Sequence, residues 1–228
     1  MKGARYEGQW KDDQQHGHGV EVWPEGAQFE GSYVKSKKQG HGRYTWMDGS
    51  TYDGEWFDNK IHGCGTYKWK DGRCYYGEWN QNDMQGFGHY VYADGVQYHG
   101  QYLHDKKEGY GEYFWTDGRK YEGWWHRGKQ HGLGIYSDPK RGTVKHGLWE
   151  MGKRVRWFEE EEIVRINQGE NVGFRDLFRN PESLNGVPEG ASFQKPTNFE
   201  EELERVATYL SLDQESIFKS QQPSLVQS

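Results

Sequence analysis

The sequence predicts an all-β repeat protein: an elongated, twisted antiparallel sheet of stacked β-hairpins with a C-terminal helical extension. Three observations predict it. Glycine reaches 32 of 228 residues without the three-residue period of collagen. Aromatic residues, with 11 Trp and 16 Tyr, form 16% of the chain while all hydrophobic residues reach only 32%, so any core must be built from rings. The glycines also fall in columns spaced 23 residues apart.

The columns define the units. Gly8, Gly31, Gly54, Gly77, Gly100 and Gly123 form one series, Gly17 through Gly132 a second, and Gly19 through Gly134 a third, all in steps of 23. The aromatic two places after the first glycine recurs as Trp10, Tyr33, Trp56, Trp79, Tyr102 and Trp125. A weaker seventh copy follows in HGLWEMGK, where Gly147 and Trp149 restore the pattern one residue late, after SDPKRGT.

Each unit reads as a hairpin. In YDGEW, Tyr52, Gly54 and Trp56 share one face, as do Gly63, Gly65, Tyr67 and Trp69 in the following strand, because side chains alternate. Asp58 to His62 is expected to form one turn and Lys70-Asp71-Gly72 the other, since Asp-Gly tolerates positive φ. Strand glycines beside Trp and Tyr suggest room left for a ring. One hairpin cannot bury such a face alone, but stacked hairpins bury it repeatedly.

The recurring YEGxW, HGxG and DG elements resemble MORN repeats, named for membrane occupation and recognition nexus, from Gly3 to about Gly152. The resemblance implies a twisted sheet of hairpins with an aromatic groove. It also implies non-catalytic roles in junctional membrane proteins, ciliary radial spokes and cytoskeletal scaffolds, or as accessory regions of lipid kinases and a lysine methyltransferase. This chain departs from the pattern at Gln39, Gln85 and Glu108, which stand where His is common, and at Glu25-Gly26 in place of the first Asp-Gly.

Signals for catalysis are absent from the pattern. His16, His62 and His131 occupy one column and are expected to order turns or pack on rings rather than hold a metal. Glu55 and Glu78 read as solvent-facing strand positions rather than a paired acid and base. The Gly-x-Gly elements lie inside strands, the wrong context for a dinucleotide fingerprint. Cys64 and Cys74 read as reduced thiols, and no cofactor is expected. No run of 18 apolar residues and no leader-like N-terminus occur, so the chain reads as soluble and intracellular.

Charge divides the chain. Residues 1–158, read as the array, hold 23 basic against 21 acidic residues, while 159–228, read as an acidic and partly helical extension with a disordered end, hold 6 against 14. The near-neutral array excludes nucleic acid as an expected partner. Basic residues at the inter-strand turns, Lys35, Lys37 and Lys38, Lys106 and Lys107, Arg127 and Lys129, are candidates for an edge that meets anionic lipid. Alternatively, turn lysines only keep the edge soluble.

The face opposite the rings turns apolar from the fourth unit onward. Phe87, Val91, Tyr110, Phe114, Trp124, Leu133 and Ile135 fall on it by alternation and form the expected partner-binding patch, unless the chain covers it itself. After Phe158 the period stops. Trp157 to Asn167 reads as a charged helix, Phe174, Leu177 and Phe178 as a short apolar cluster, and NPESLNGVPEGASFQKPT as an irregular linker. A second helix is expected after Thr197 or Asn198, with Phe199, Leu203, Val206 and Leu210 on one stripe. That helix either docks on the array or is offered to a partner.

The expected function is a non-catalytic scaffold that presents aromatic and apolar ladders to other proteins of a larger assembly. The family resemblance implies a cilium, axoneme or cytoskeleton as its place. The alternative is a peripheral membrane adaptor or the targeting arm of a larger enzyme. The strand Tyr6 to Trp10 begins mid-repeat, and its raw edge is expected either to continue a longer chain or to pair with a second molecule.

Overall fold

A computed structural model describes residues 3–170, 172–178, 185–188 and 190–209. Fourteen antiparallel strands form one open sheet in which spatial order equals chain order. The strands pair as seven hairpins: β1 Arg5–Lys11 with β2 Gln14–Val22, β3 Gln28–Val34 with β4 Lys37–Thr45, β5 Thr51–Phe57 with β6 Lys60–Lys68, and β7 Cys74–Asn80 with β8 Asp83–Val91. β9 Gln97–Leu103 with β10 Lys106–Phe114, β11 Lys120–His126 with β12 Lys129–Asp138, and β13 Thr143–Glu150 with β14 Lys153–Trp157 complete the array.

The hairpin turns are shorter than the sequence suggested. Asp58 and Asn59 alone make the turn between β5 and β6, with φ of 50° and 66°, and Lys60 to His62 belong to the strand. Two successive positive φ angles define the turn whose twist matches that of the strands. Each turn also ties hairpins together. Asn59 donates its N–H to the Lys38 carbonyl at 3.1 Å and accepts the Lys38 N–H on Oδ1 at 2.8 Å. Asn82 makes the same pair of bonds with Ile61, and Asp105 with Met84.

Two kinds of glycine serve two purposes. Gly54 pairs with Gly65, Gly65 with Gly77, and Gly77 with Gly88, so a glycine row crosses the sheet. Tyr52 lies across this row: a Cβ on Gly65 would stand 2.5 Å from its ring carbon Cε2 and one on Gly54 2.6 Å from its hydroxyl. The phenol donates to the Glu55 carbonyl at 3.1 Å. Phe29, Tyr75, Tyr98 and Tyr121 occupy the same place in their own hairpins and are fully buried. Gly63, which the alternation assigned to the same ring-clearing role, instead takes φ 62° in a bulge where the register shifts between Gly54 and Trp56. There the Glu55 carboxylate accepts the Cys64 N–H at 2.9 Å.

Trp residues sew adjacent hairpins together. Trp56 Nε1 donates to the Gly42 carbonyl at 2.9 Å, and Trp79 and Trp125 repeat the contact with Gly65 and Gly111. Tyr52 meets Trp56 and Trp79 edge-to-face, with ring centroids 5.4 and 5.7 Å apart. Such ring pairs contribute about 0.5–1.5 kcal/mol each beyond the area they bury.

The C-terminal extension carries a helix α1, Glu160–Asn167, a 3-10 turn, Phe174–Leu177, and a helix α2, Phe199–Tyr209. α1 starts three residues later than expected because β14 keeps pairing with β13 through Trp157. Glu162 accepts the Glu159 N–H at 3.1 Å and so closes the first turn. No described helix is long and apolar enough to cross a membrane.

Candidate interaction faces

The two faces of the sheet differ. On the ring face, above the buried tyrosines, lies a second layer of aromatics, half-buried except for Tyr90, which is buried. Tyr44 to Trp46 spans 4.6 Å between centroids, Trp46 to Tyr67 4.9 Å, Tyr67 to Trp69 4.4 Å, and Trp69 to Tyr90 5.4 Å. Tyr92, Tyr113, Trp115, Tyr136 and Trp157 continue the line to the last hairpin. This layer exists because β4, β6, β8 and β10 each carry a ring two places after the glycine row and are followed by a second ring two places later, Tyr44 and Trp46, Tyr67 and Trp69, Tyr90 and Tyr92, Tyr113 and Trp115.

Cations sit among the rings. Lys107 Nζ lies 5.1–5.2 Å from the centroids of Tyr92, Tyr98, Tyr113 and Trp125 and donates to the Tyr92 hydroxyl at 2.7 Å. Lys38 Nζ lies 5.0–5.8 Å from Trp23, Phe29 and Tyr44. Burial lowers the Lys38 amine and brings that of Lys107 down to about 8. Arg73 and Arg119 cover Trp69 and Trp115 but are each bridged by a carboxylate, Asp71 at 2.8 Å and Asp117 at 2.7 Å.

Lys38 and Lys107 therefore do not belong to a lipid-facing edge. They stand in the column of Ile61 and Met84, which points into the rings. Lys35, Lys37, Lys106, Arg127 and Lys129 are exposed, but Lys37 is paired with Asp58. The hairpin turns also present Asp12, Asp13, Asp58 and Asp105, so their rim is mixed in charge rather than basic.

Replacing Lys107 with methionine, the residue of the same column at Met84, is expected to stabilise the fold. The folded-state amine titrates near 8 against an ordinary value of 10.5, so at neutral pH the fold carries the cost of a desolvated ammonium. Removing it is expected to raise stability by about 1–3 kcal/mol at pH 7. In the native protein the unfavourable term vanishes as pH rises from 8 to 10.5, so the advantage of the variant in thermal melts is expected to shrink over that interval.

The opposite, outer face carries the residues read as a partner patch, and most of them lie beneath the C-terminal extension. Phe199, with no exposed surface, meets Phe87 at 5.8 Å and Tyr110 at 5.1 Å, edge-to-face in both cases. Val206 is buried and Leu203 half-buried on the same cluster, while Leu210 lies outside the described residues. Leu133 is fully buried with Leu148, Phe158, Ile166 and Phe193, and Trp124 and Ile135 flank that cluster. Val91 and Phe114 remain half-exposed.

Ion pairs pin the cover at its rim. Arg205 bridges Glu78 at 2.8 Å, and Lys195 bridges Glu112 and Glu200, both at 2.5 Å. Glu78 is thus not a free solvated carboxylate: it also accepts the Phe87 N–H at 2.6 Å in its bulge. Beside the Arg205–Glu78 bridge, Cys64 is buried, and burial with the carboxylates of Glu78 and Glu55 pushes its thiol up to about 11.

Histidines follow their columns. His131 is fully buried and accepts the Met151 N–H of the next turn on Nδ1 at 3.1 Å, the role that Gln39 and Glu108 play for Asp58 and Arg127. On the outer face His89 and His99 stack with centroids 4.2 Å apart. Tyr76, Gln97, Phe114, Glu112, Lys120 and Lys195 surround them. Burial brings His89 down to about 4 and holds His99 well below its usual range. Both lie below the unfolded value of 6.5, so their neutral forms favour the fold fully above pH 6.5, and that contribution is lost as pH falls through 4. Thermal melts are expected to show stability falling by up to about 3 kcal/mol for His89 alone over this window, and His89→Phe to flatten the slope. Among the described residues no group of His, Cys, Asp or Glu is arranged to hold a metal.

A family model described as MORN repeat matches residues 6–28, 29–51, 52–72, 75–97, 98–118 and 121–143. No curated protein matches the chain. Among solved structures, the TCP10c domain of Drosophila melanogaster Sas-4 is similar at 12% identity and a TM-score of 0.32, over 58% of this chain and 86% of that one. The SAS-4 (dCPAP) TCP domain of Drosophila melanogaster in complex with a proline-rich motif of Ana2 (dSTIL) is similar at 11% and 0.28, over 57% and 83%.

Proposed function

This chain belongs to the MORN-repeat family, whose arrays are structural modules that bind proteins or membranes, and on that premise we propose that it is a non-catalytic scaffold gripping a partner protein through its ring face. The observation that supports the reading is the continuous layer of rings from Trp23 to Trp157, all but Tyr90 half-buried, beside an outer apolar patch that the chain's own extension occupies. Half-buried rings offer large contact area at little entropic cost. A ciliary or cytoskeletal assembly is the setting we propose, on family grounds alone.

The test is affinity capture from the native cell with the intact chain and two variants. Tyr67→Ser with Trp69→Ser strips the ring face, while Val91→Asp with Phe114→Asp alters what remains open on the outer face. Loss of the same captured protein with the first variant only is the expected result. Loss with the second variant only sinks the ring-face reading. Salt-sensitive binding to phosphoinositide vesicles that disappears on neutralising Lys35, Lys106, Arg127 and Lys129 favours the membrane adaptor instead.

A further inference from the structure

The cations on the ring face differ in one respect. Arg73 and Arg119 are each bridged by a carboxylate of their own, whereas no carboxylate among the described residues bridges Lys38 or Lys107; Glu21 acts on the Lys38 ammonium only from beyond ion-pair distance, and burial alone governs Lys107. Both ammoniums are nonetheless drawn down among rings, in a column whose other members include Ile61 and Met84. A desolvated ammonium that no carboxylate bridges is a standing demand for an anionic group, strongest at Lys107. Lys107 is only half-buried as a residue, and the rings above it, Tyr92 and Tyr113, belong to the half-buried layer rather than the core.

Spacing identifies the shape of the ligand that would meet both. Lys38 lies on β4 and Lys107 on β10, six strands apart in a sheet without crossovers. At about 4.8 Å per strand the two positions are roughly 29 Å apart along the array. An extended chain advancing about 3.3 Å per residue covers that distance in about nine residues. Between the two lysines lies the ring line of Trp46, Tyr67, Trp69 and Tyr90, against which apolar or proline side chains can stack.

We propose that the ring face binds an extended acidic peptide running across the strands, with two carboxylates about nine residues apart seated on Lys38 and Lys107. This deepens the ring-face reading above and rests on it. The chemistry is that of a protein segment rather than a membrane, since both cations lie among rings spread along the array and not at its exposed turns. Binding gives Lys107 its counterion and Lys38 a closer one than Glu21, so the Lys107 amine rises toward its ordinary range in the complex.

The probe is a capped 13-residue peptide of alternating Pro and Thr with Asp at positions 2 and 11, titrated into the full chain by tryptophan fluorescence. Its Asn counterpart and a version with the two Asp residues four apart serve as comparisons. Binding that falls at least tenfold with either altered peptide, and at least tenfold with Lys38→Met or Lys107→Met, supports the proposal. So does an upward shift of the Lys107 Cε titration in NMR when the Asp peptide is present.

Equal binding to the lysine variants overturns the two-lysine site. If Tyr67→Ser with Trp69→Ser still abolishes that binding, the ring-face reading stands without it. If no peptide binds and Tyr67→Ser with Trp69→Ser leaves affinity capture from the cell intact, both fail. Anionic vesicles that bind through Lys38 and Lys107 while the peptide does not overturn the proposal in favour of a membrane.

Discussion

Gly65→Ala is expected to unfold the hairpin that contains it, at a cost above about 3 kcal/mol. The new Cβ would stand 2.5 Å from Cε2 of Tyr52, a ring with no exposed surface. The ring cannot swing aside, because its hydroxyl is bonded to the Glu55 carbonyl and its edges meet Trp56 and Trp79. Gly72→Ala is the control. Its Cβ would meet nothing within 4 Å, so only the strain of φ 92° remains, about 1–2 kcal/mol. Urea unfolding of the two variants separates steric from backbone effects. Equal losses would show that the ring over the glycine row is dispensable.

Phe199→Asp is expected to release α2 while the array stays folded. A carboxylate at a side chain with no exposed surface, facing Phe87 and Tyr110, costs several kcal/mol unless the helix leaves. Isolated helices of 11 residues are marginal, so α2 is expected to melt once detached. The thiol of Cys64 reports the event: it lies near Glu78, which Arg205 of α2 bridges, and its labelling by a soluble disulfide is expected to accelerate about 100-fold. Cys74, whose thiol neighbours Tyr76, serves as the internal reference. Unchanged labelling with unchanged circular dichroism would mean that α2 does not hold the outer face closed.

The hairpins were legible because their spacing is written in the glycines. A ring can lie flat across a sheet only where two facing residues lack Cβ, so Gly54 and Gly65 must recur together. Other features require register that periodicity alone does not supply. Lys37 and Lys38 are neighbours with opposite fates, one at the exposed rim and one among rings, and simple proximity to the turn hides the difference. The signal was present in the column, since Ile61 and Met84 occupy the position of Lys38 and Lys107. Glu55 and Glu78 read as solvated because alternation ignores the bulge, where a carboxylate caps a freed N–H. The ion pair of Arg205 with Glu78 joins residues 127 positions apart and has no local trace.

Chain order that equals strand order gives this molecule a mechanical character. Tension applied between β1 and β14 acts along the row of strands, parallel to the inter-strand hydrogen bonds, so bonds open one after another instead of shearing together. Each repeat of 23 residues then yields on the order of 70 Å of slack as its hairpin parts. The turn bonds such as Asn59 to Lys38 and the Trp56 bond to Gly42 are the rivets between successive hairpins, and their regularity grades the yielding into equal steps. A rod built this way lengthens under load in increments and re-forms from short local contacts when the load is removed.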